Sequence, residues 1–253
     1  MNTPKQLWTP SPSFRQQSNL TKYSRWLQEK FGLSFPDYAA LWQWSVDRPA
    51  DFWETIWQYF EVIFHSPYTR VMSGDPMPRT RWFEGSTLNY AEHVFRNHTA
   101  SRPAIIYASE QHGEKSISWE QLENSTAALQ AFLLHSGVKK GDTVAAYLPN
   151  IPEATIGLLA TLSIGAVWSS CSPDFGTGSV VDRFQQISPK VLIAVDGYRY
   201  NGKPFDRMET VKAIREALPS VHRVILVSCL QEKADASGIP DAVPWEEVQA
   251  VPH

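Results

Sequence analysis

The sequence predicts an α/β protein: an N-terminal aromatic-rich helical region, then alternating strands and helices around a parallel sheet. Three observations predict it. Seven of the ten tryptophans (Trp8, Trp26, Trp42, Trp44, Trp53, Trp57 and Trp82) fall in the first third of the chain, which marks that third as a different kind of structure. Beyond Pro103, short apolar runs at 104–108, 143–148, 166–169, 191–195 and 224–227 read as strands. Single helical stretches separate them, the pattern of a parallel sheet covered on both faces.

Residues 1–20 read as an arm. Between 21 and 64, Tyr23, Trp26, Leu27 and Phe31 fall at helical spacing, as do Leu41, Trp42 and Trp44, then Phe52, Ile56, Phe60 and Phe64. Ser34, Pro36 and Asp37 mark one helix start. Asp47 and Pro49 mark another, with proline in the first turn, where its missing N–H costs little. Aromatics at this spacing are read as packing. Residues 66–88 hold Pro67, Gly74, Pro76, Pro78 and Gly85 and read as a long crossing segment. A further helix is expected at 88–95.

Ser118 and Gln121 form a capping box, each side chain able to satisfy the other's free N–H. Leu122, Thr126, Leu129 and Leu133 then line one helix face, and Gly137 stops the helix. Pro149-Asn150 turns strand 143–148 into a helix with Pro152 in its first turn. Val180, Phe184 and Ile187 mark the next helix, and 208–218 another. Residues 231–242 read as a polar loop, and 243–251 as the start of one more element.

Composition excludes several classes of function. A net charge of −3 lacks the basic excess of a nucleic-acid binder. Cys171 and Cys229 stand far apart, without a CxxC pair, and the seven histidines are scattered, so neither a metal site nor a disulfide framework is expected. The polar, proline-rich residues 1–12 lack the apolar core of a secretory signal. No apolar run reaches the ~20 residues that span a bilayer. The expected location is the cytoplasm, with no membrane partner.

Open parallel sheets bind ligands where their strands end. Three such exits carry polar chemistry: 149–153, 169–176 and 196–203. The last, Asp196-Gly197-Tyr198-Arg199-Tyr200-Asn201-Gly202-Lys203, offers two cations four residues apart between glycines that permit close backbone approach. It is the best anion site of the three. A solvated turn with two surface charges fits the same residues. Gly176-Thr177-Gly178-Ser179 matches neither the P-loop nor the dinucleotide fingerprint, and reads as a turn into a helix N-cap.

Several of these segments carry a resemblance. Trp82-Phe83-Glu84-Gly85-Ser86-Thr87-Leu88-Asn89-Tyr90-Ala91-Glu92, with Phe52-Trp53-Glu54 before it, resembles the opening signature of short-chain acyl-CoA synthetases. Gly141-Asp142-Thr143-Val144 followed by Leu148-Pro149-Asn150 is similar to the early sheet of the adenylate-forming superfamily, and 159–172, with Gly165-Ala166-Val167, to its next strand–helix boundary. Ser45-Val46-Asp47-Arg48-Pro49, Cys171-Ser172-Pro173-Asp174-Phe175-Gly176 and 196–203 resemble the acetoacetyl-CoA synthetase branch. The resemblance runs from about residue 20 to 253, and it rests on the order and spacing of these segments rather than on any single one.

The resemblance implies part of the large N-terminal domain of an adenylate-forming enzyme, with an arm at 1–20, a helical region at 21–100 and an incomplete first α/β subdomain at 101–253. It implies a ligase that couples acetoacetate to CoA through an acyl-adenylate, using ATP and Mg²⁺, with acetyl- or propionyl-CoA synthetase as the near alternative. In such enzymes the CoA nucleotide meets a segment corresponding to 172–175 and an arginine corresponding to Arg199. Pro173, Asp174 and Phe175 are therefore expected to wall the nucleotide, with Arg199 as the phosphate anchor and Lys203 as support. A carboxylate at Asp174 suits positioning a donor or facing the ribose. Gly202 or Lys203 stands where a second arginine is found in the relatives.

The superfamily's Ser/Thr/Gly-rich loop ending in Pro-Lys is absent from these 253 residues. The expectation is an N-terminal portion, without catalytic residues or a tightly bound cofactor and inactive alone, whose cut sheet has one uncovered face and an edge open to self-association. Other classes remain open: a non-catalytic CoA- or nucleotide-binding module, and an interaction protein acting through the helices of 21–64.

Overall fold

A computed structural model describes residues 7–110 and 113–252. The chain divides into two compact units, Met1–Leu88 and Asn89–His253. The first begins with four helices: α1 (Pro12–Gln17), α2 (Asn19–Phe31), α3 (Tyr38–Asp47) and α4 (Pro49–Tyr59). Helix α1 lies within the stretch expected to be an arm; Ser11 caps it with its side chain and Pro12 fills its first position. The expected starts of α3 and α4 are present, with Asp37 accepting from the Ala40 amide and Pro49 opening α4.

Tyr23, Leu27 and Leu41 form a small buried cluster with Trp26, Trp44, Phe52 and Ile56 against it. The Tyr23 hydroxyl and Thr55 Oγ1, 2.7 Å apart, join α2 to α4. The aromatic stripe, expected to be packing throughout, is core only in part: Phe31, Trp42, Phe60 and Phe64 are exposed. Four short helices bury one narrow stripe each, too little to cover every aromatic ring. The crossing segment contains β1 (Arg70–Met72) and β2 (Trp82–Glu84), paired antiparallel. Phe83, just inside β2, packs on Trp57 with ring centroids 4.4 Å apart.

The second unit opens with α5 (Tyr90–Phe95), which packs on the later helix α7 (Pro152–Ser163). The strand expected at 104–108 is β3 (Ile105–Ser109). It pairs antiparallel with β4 (Gly113–Ile117), outside the parallel sheet. Helix α6 (Trp119–His135) starts at the capping box, both halves of which form. The parallel sheet is built from β5 (Thr143–Tyr147), β6 (Val167–Cys171), β7 (Val191–Val195), β10 (Arg223–Val227) and β11 (Ala242–Pro244). Between them come α8 (Thr177–Phe184), the hairpin β8 (Gly197–Tyr200) and β9 (Lys203–Asp206), and α9 (Met208–Ala217). Helix α10 (Trp245–Gln249) follows β11.

The spatial order is β11-β10-β7-β5-β6, with every pair parallel. Strands β5 and β7 are buried along their whole length, which is why they read as continuous apolar runs rather than alternating ones. Val144 and Ala146 of β5, with Val191, Ile193 and Val195 of β7, face α6, α7 and α10. The alternate residues Ala145, Tyr147, Leu192 and Ala194 face α8 and α9. Both faces of the central strands are thus covered, contrary to the expected uncovered face, because α6, α7 and α10 pack on one side and α8 and α9 on the other. The edge strand β6 stays partly open, with Val167 exposed. No helix among the described residues is long and apolar enough to cross a membrane.

Candidate functional site

The chain leaves β5 toward β6 on one side of the sheet and returns to β7 on the other, so the strand order reverses between β5 and β7. At such a switch point the loops diverge and leave a crevice beyond the carboxyl ends of the strands. A cleft of about 750 Å³ lies there. Its walls come from Leu148–Glu153 after β5, Ser170–Asp174 at the end of β6, Tyr198–Tyr200 on β8 and Val227–Cys229 at the end of β10. Tyr107–Glu110 of the β3 hairpin and Lys115 complete it.

The loop after β6 is held from below. Tyr147, fully buried at the end of β5, places its hydroxyl 2.8 Å from the carbonyl oxygens of both Pro173 and Phe175. Burial pushes this phenol upward, so it stays a neutral donor. Arg207 Nε donates to the same Pro173 carbonyl at 2.8 Å, and its Nη2 donates to the Tyr198 hydroxyl at 3.1 Å. The Tyr198 hydroxyl donates in turn to Asp174. That bond, then the Ser172 hydroxyl at 2.9 Å and the nearby Arg207 charge, holds the Asp174 carboxyl below the usual range. Asp174 therefore fixes Tyr198, the residue before Arg199.

Of the residues the sequence singled out, Pro173, Asp174 and Arg199 line this one cleft. Phe175 and Lys203 lie outside its lining. The Phe175 ring lies 4.3 Å beneath the Arg183 guanidinium on α8, and Lys203 opens β9, exposed, opposite Tyr200. The segment 196–203, read as a strand exit or solvated turn, is instead most of a hairpin. Its two-residue loop is Asn201-Gly202, at φ +51° and +73°, the left-handed pair that a type I′ turn requires. Asn-Gly between Tyr200 and Lys203 was the available signal for it. Sequence reasoning also missed Arg207, Tyr198 and Glu110, whose partners are remote in sequence. Gly176 caps the start of α8, as the turn reading expected.

Two titratable groups of the lining, Glu153 and Cys229, are both shifted upward. Glu153, in the first turn of α7, is pushed up by burial, with Glu246 adding to the effect. A helix N-terminus favours a carboxylate, but desolvation is the larger effect here. Burial first, then the charges of Asp196 and Glu153, raise the Cys229 thiol to about 11. Near pH 8 only about 0.1% of such a thiol is thiolate, against about a quarter for an ordinary cysteine. Cys229 is therefore expected to alkylate at least tenfold more slowly than a free thiol at pH 8. Its rate should keep rising as the pH approaches 11. Peptide mass spectrometry after iodoacetamide pulses checks this, and fast labelling at pH 8 would contradict it. No group of metal-ligating side chains is found among the described residues.

Residues 91–252 match the family model described as AMP-binding enzyme. The chain belongs to the AMP-binding enzyme family. Residues 38–94 match the acetyl-coenzyme A synthetase N-terminus. Among curated relatives, the acetoacetyl-coenzyme A synthetase of Rhizobium meliloti (strain 1021) is 40% identical over 218 residues, 86% of this chain and 33% of that protein. The acetoacetyl-CoA synthetase of Macaca fascicularis is 36% identical over 242 residues, 94% of this chain and 36% of that protein. The structure of an acetoacetyl-CoA synthetase from Streptomyces lividans superposes with a TM-score of 0.92 at 42% identity, covering 99% of this chain and 38% of that one. The chain spans about a third of the length of these relatives.

Proposed function

We propose that this chain forms the coenzyme A-facing part of an acetoacetate–CoA ligase. The whole reaction converts acetoacetate, ATP and CoA to acetoacetyl-CoA, AMP and diphosphate. The carboxylate attacks the α-phosphate and releases diphosphate; the CoA thiol then attacks the acyl carbon and releases AMP. Mg²⁺ supplies charge neutralisation in the first step when bound. The residues of this chain contribute to the second step, by holding the CoA nucleotide so that the thiol is delivered in line.

The observation that carries the reading is the convergence of Arg199, Pro173 and Asp174 on one cleft at the switch point of the sheet. Arg199 supplies a fixed cation with fork geometry suited to a phosphate. Tyr198, held between Asp174 and Arg207, fixes the strand that presents it. The names of the relatives support acetoacetate as the acyl group. A second reading, an acetate–CoA ligase, has the match of residues 38–94 in its favour.

Titration calorimetry of the 253-residue chain tests the reading. Arg199→Ala is expected to weaken CoA binding about tenfold or more, the scale of one charge-assisted phosphate contact. Dephospho-CoA, which lacks the 3′-phosphate, should bind both proteins alike. Equal CoA affinity for the two proteins would remove Arg199 as the phosphate anchor.

A further inference from the structure

The turn of the β8–β9 hairpin already holds an anion. Glu110, at the end of the β3 hairpin strand, reaches across 91 residues of sequence to place Oε1 2.7 Å from the Asn201 amide. Its Oε2 accepts from the Gly202 amide at 2.8 Å. In a two-residue turn of this type, the two central amides point away from the ladder and have no partner in it. Successive backbone N–H groups of this kind make an anion-binding concavity. The two amides, Gly202 before Asn201, hold the Glu110 carboxyl below its usual range, and the charge of Arg199 adds to them. The carboxylate is thus ionised at neutral pH and rests on donors that a phosphate oxygen can use equally well.

The surroundings fit a phosphate better than a carboxylate. Arg199 and Lys115 line the same cleft as Glu110, and the Arg199 charge acts on its carboxylate. A phosphate has oxygens for the two amides and for a guanidinium together, whereas Glu110 spends both of its oxygens on the amides. Glu110 is fully exposed and joins two hairpins that both line the cleft, so its side chain can swing into solvent without opening the core. We propose that the Asn201 and Gly202 amides, together with Arg199, form a phosphate site that Glu110 occupies as an internal anion and yields to a ligand phosphate. The proposal rests on the reading of this cleft as a coenzyme A site. It adds an occupant that competes with the ligand and so sets how tightly the 3′-phosphate is held.

The test uses 3′,5′-ADP, the phosphate-bearing end of CoA, as probe on the full 253-residue chain. Calorimetry measures affinity, and amide NMR shifts report where the probe sits. Glu110→Gln keeps an acceptor but loses the charge, and it is expected to bind the probe about five- to tenfold tighter than the wild type. The Asn201 and Gly202 amides should be among those that shift. Glu110→Ala should gain similarly, which separates loss of charge from any special effect of the amide. Equal or weaker binding by both variants overturns the proposal, as do Asn201 and Gly202 amides that stay in place at saturation. Arg199→Ala keeps the two readings apart. If it binds like the wild type while Glu110→Gln gains with those shifts, the Arg199 anchor fails and the competing carboxylate stands. If it loses binding while both Glu110 variants equal the wild type, the anchor stands and the competition fails. No binding of the probe to any of the four proteins overturns both.

Discussion

Asp196→Ala is expected to cost about 3–5 kcal/mol, a large share of the roughly 5–15 kcal/mol that holds a domain together. Asp196 follows β7 directly and is fully buried. Its Oδ1 accepts the amides of Cys229 at 2.7 Å and Leu230 at 2.8 Å, and its Oδ2 accepts that of Gln231 at 2.8 Å. Three successive amides converge on one carboxylate where the chain leaves β10. Alanine removes every one of these acceptors at once and leaves part-buried N–H groups with nothing to bond. Each such group costs about 1–3 kcal/mol when desolvated and unsatisfied, and adjacent losses overlap instead of adding.

Asp196→Asn retains one oxygen but turns an NH₂ group toward a backbone N–H, so it should fall between alanine and the wild type. Urea unfolding followed by tryptophan fluorescence ranks the three proteins. The loop after β10 also carries Ser228 and Cys229 into the floor of the cleft. Losing its anchor should therefore raise the labelling rate of Cys229 along with the loss of stability. A midpoint for Asp196→Ala within error of the wild type would mean that the three bonds contribute little.

Asp196 also shows what can and cannot be read in the sequence. The parallel sheet was legible because β5, β7 and β10 are apolar runs buried on both faces, and burial is what hydrophobic patterns report. The capping box of α6 was legible because its two side chains bond locally, three residues apart. Buried Asp196 looked like the first residue of a polar loop, since its three partners lie 33 to 35 residues away. The β8–β9 hairpin was invisible to periodicity because it is an exposed two-stranded ribbon with few buried residues. Its Asn-Gly turn was the one local clue. In the cleft, Pro173 and Asp174 came from the resemblance, while Arg199 was one of two cations that already marked 196–203 as an anion site, and the resemblance gave it a role. Arg207, which holds the Pro173 carbonyl and the Tyr198 hydroxyl together, came only from the fold.

Gly197→Ala is expected to disturb both stability and ligand binding, since a single methyl has nowhere to go. A Cβ at Gly197 would stand 2.5 Å from the Phe205 carbonyl oxygen, 2.7 Å from Leu230 Cδ2 and 3.2 Å from the Asp206 Cα. Two of these three neighbours are backbone of β9, so a rotamer change cannot relieve the contact. Gly197 pairs with Asp206 at the base of the hairpin, and the two strands must separate there or tilt together. Overpacking of this kind costs about 1–3 kcal/mol in a core, with backbone contacts toward the upper end. Tilting at the base is magnified along the ribbon, where Tyr198 and Arg199 stand one and two residues further on. Tyr198 would then lose its register with Arg207 and Asp174, and Arg199 its place in the cleft. Thermal melts should show a lowered Tm, and calorimetry a CoA affinity reduced toward that of Arg199→Ala. Gly202→Ala supplies the contrast: a Cβ there meets nothing within 4 Å, and its penalty is only the positive φ of the turn. It should lower Tm modestly and leave the base of the hairpin intact. If Gly197→Ala melts and binds CoA like the wild type, the close approach of β8 to β9 is not what places Arg199.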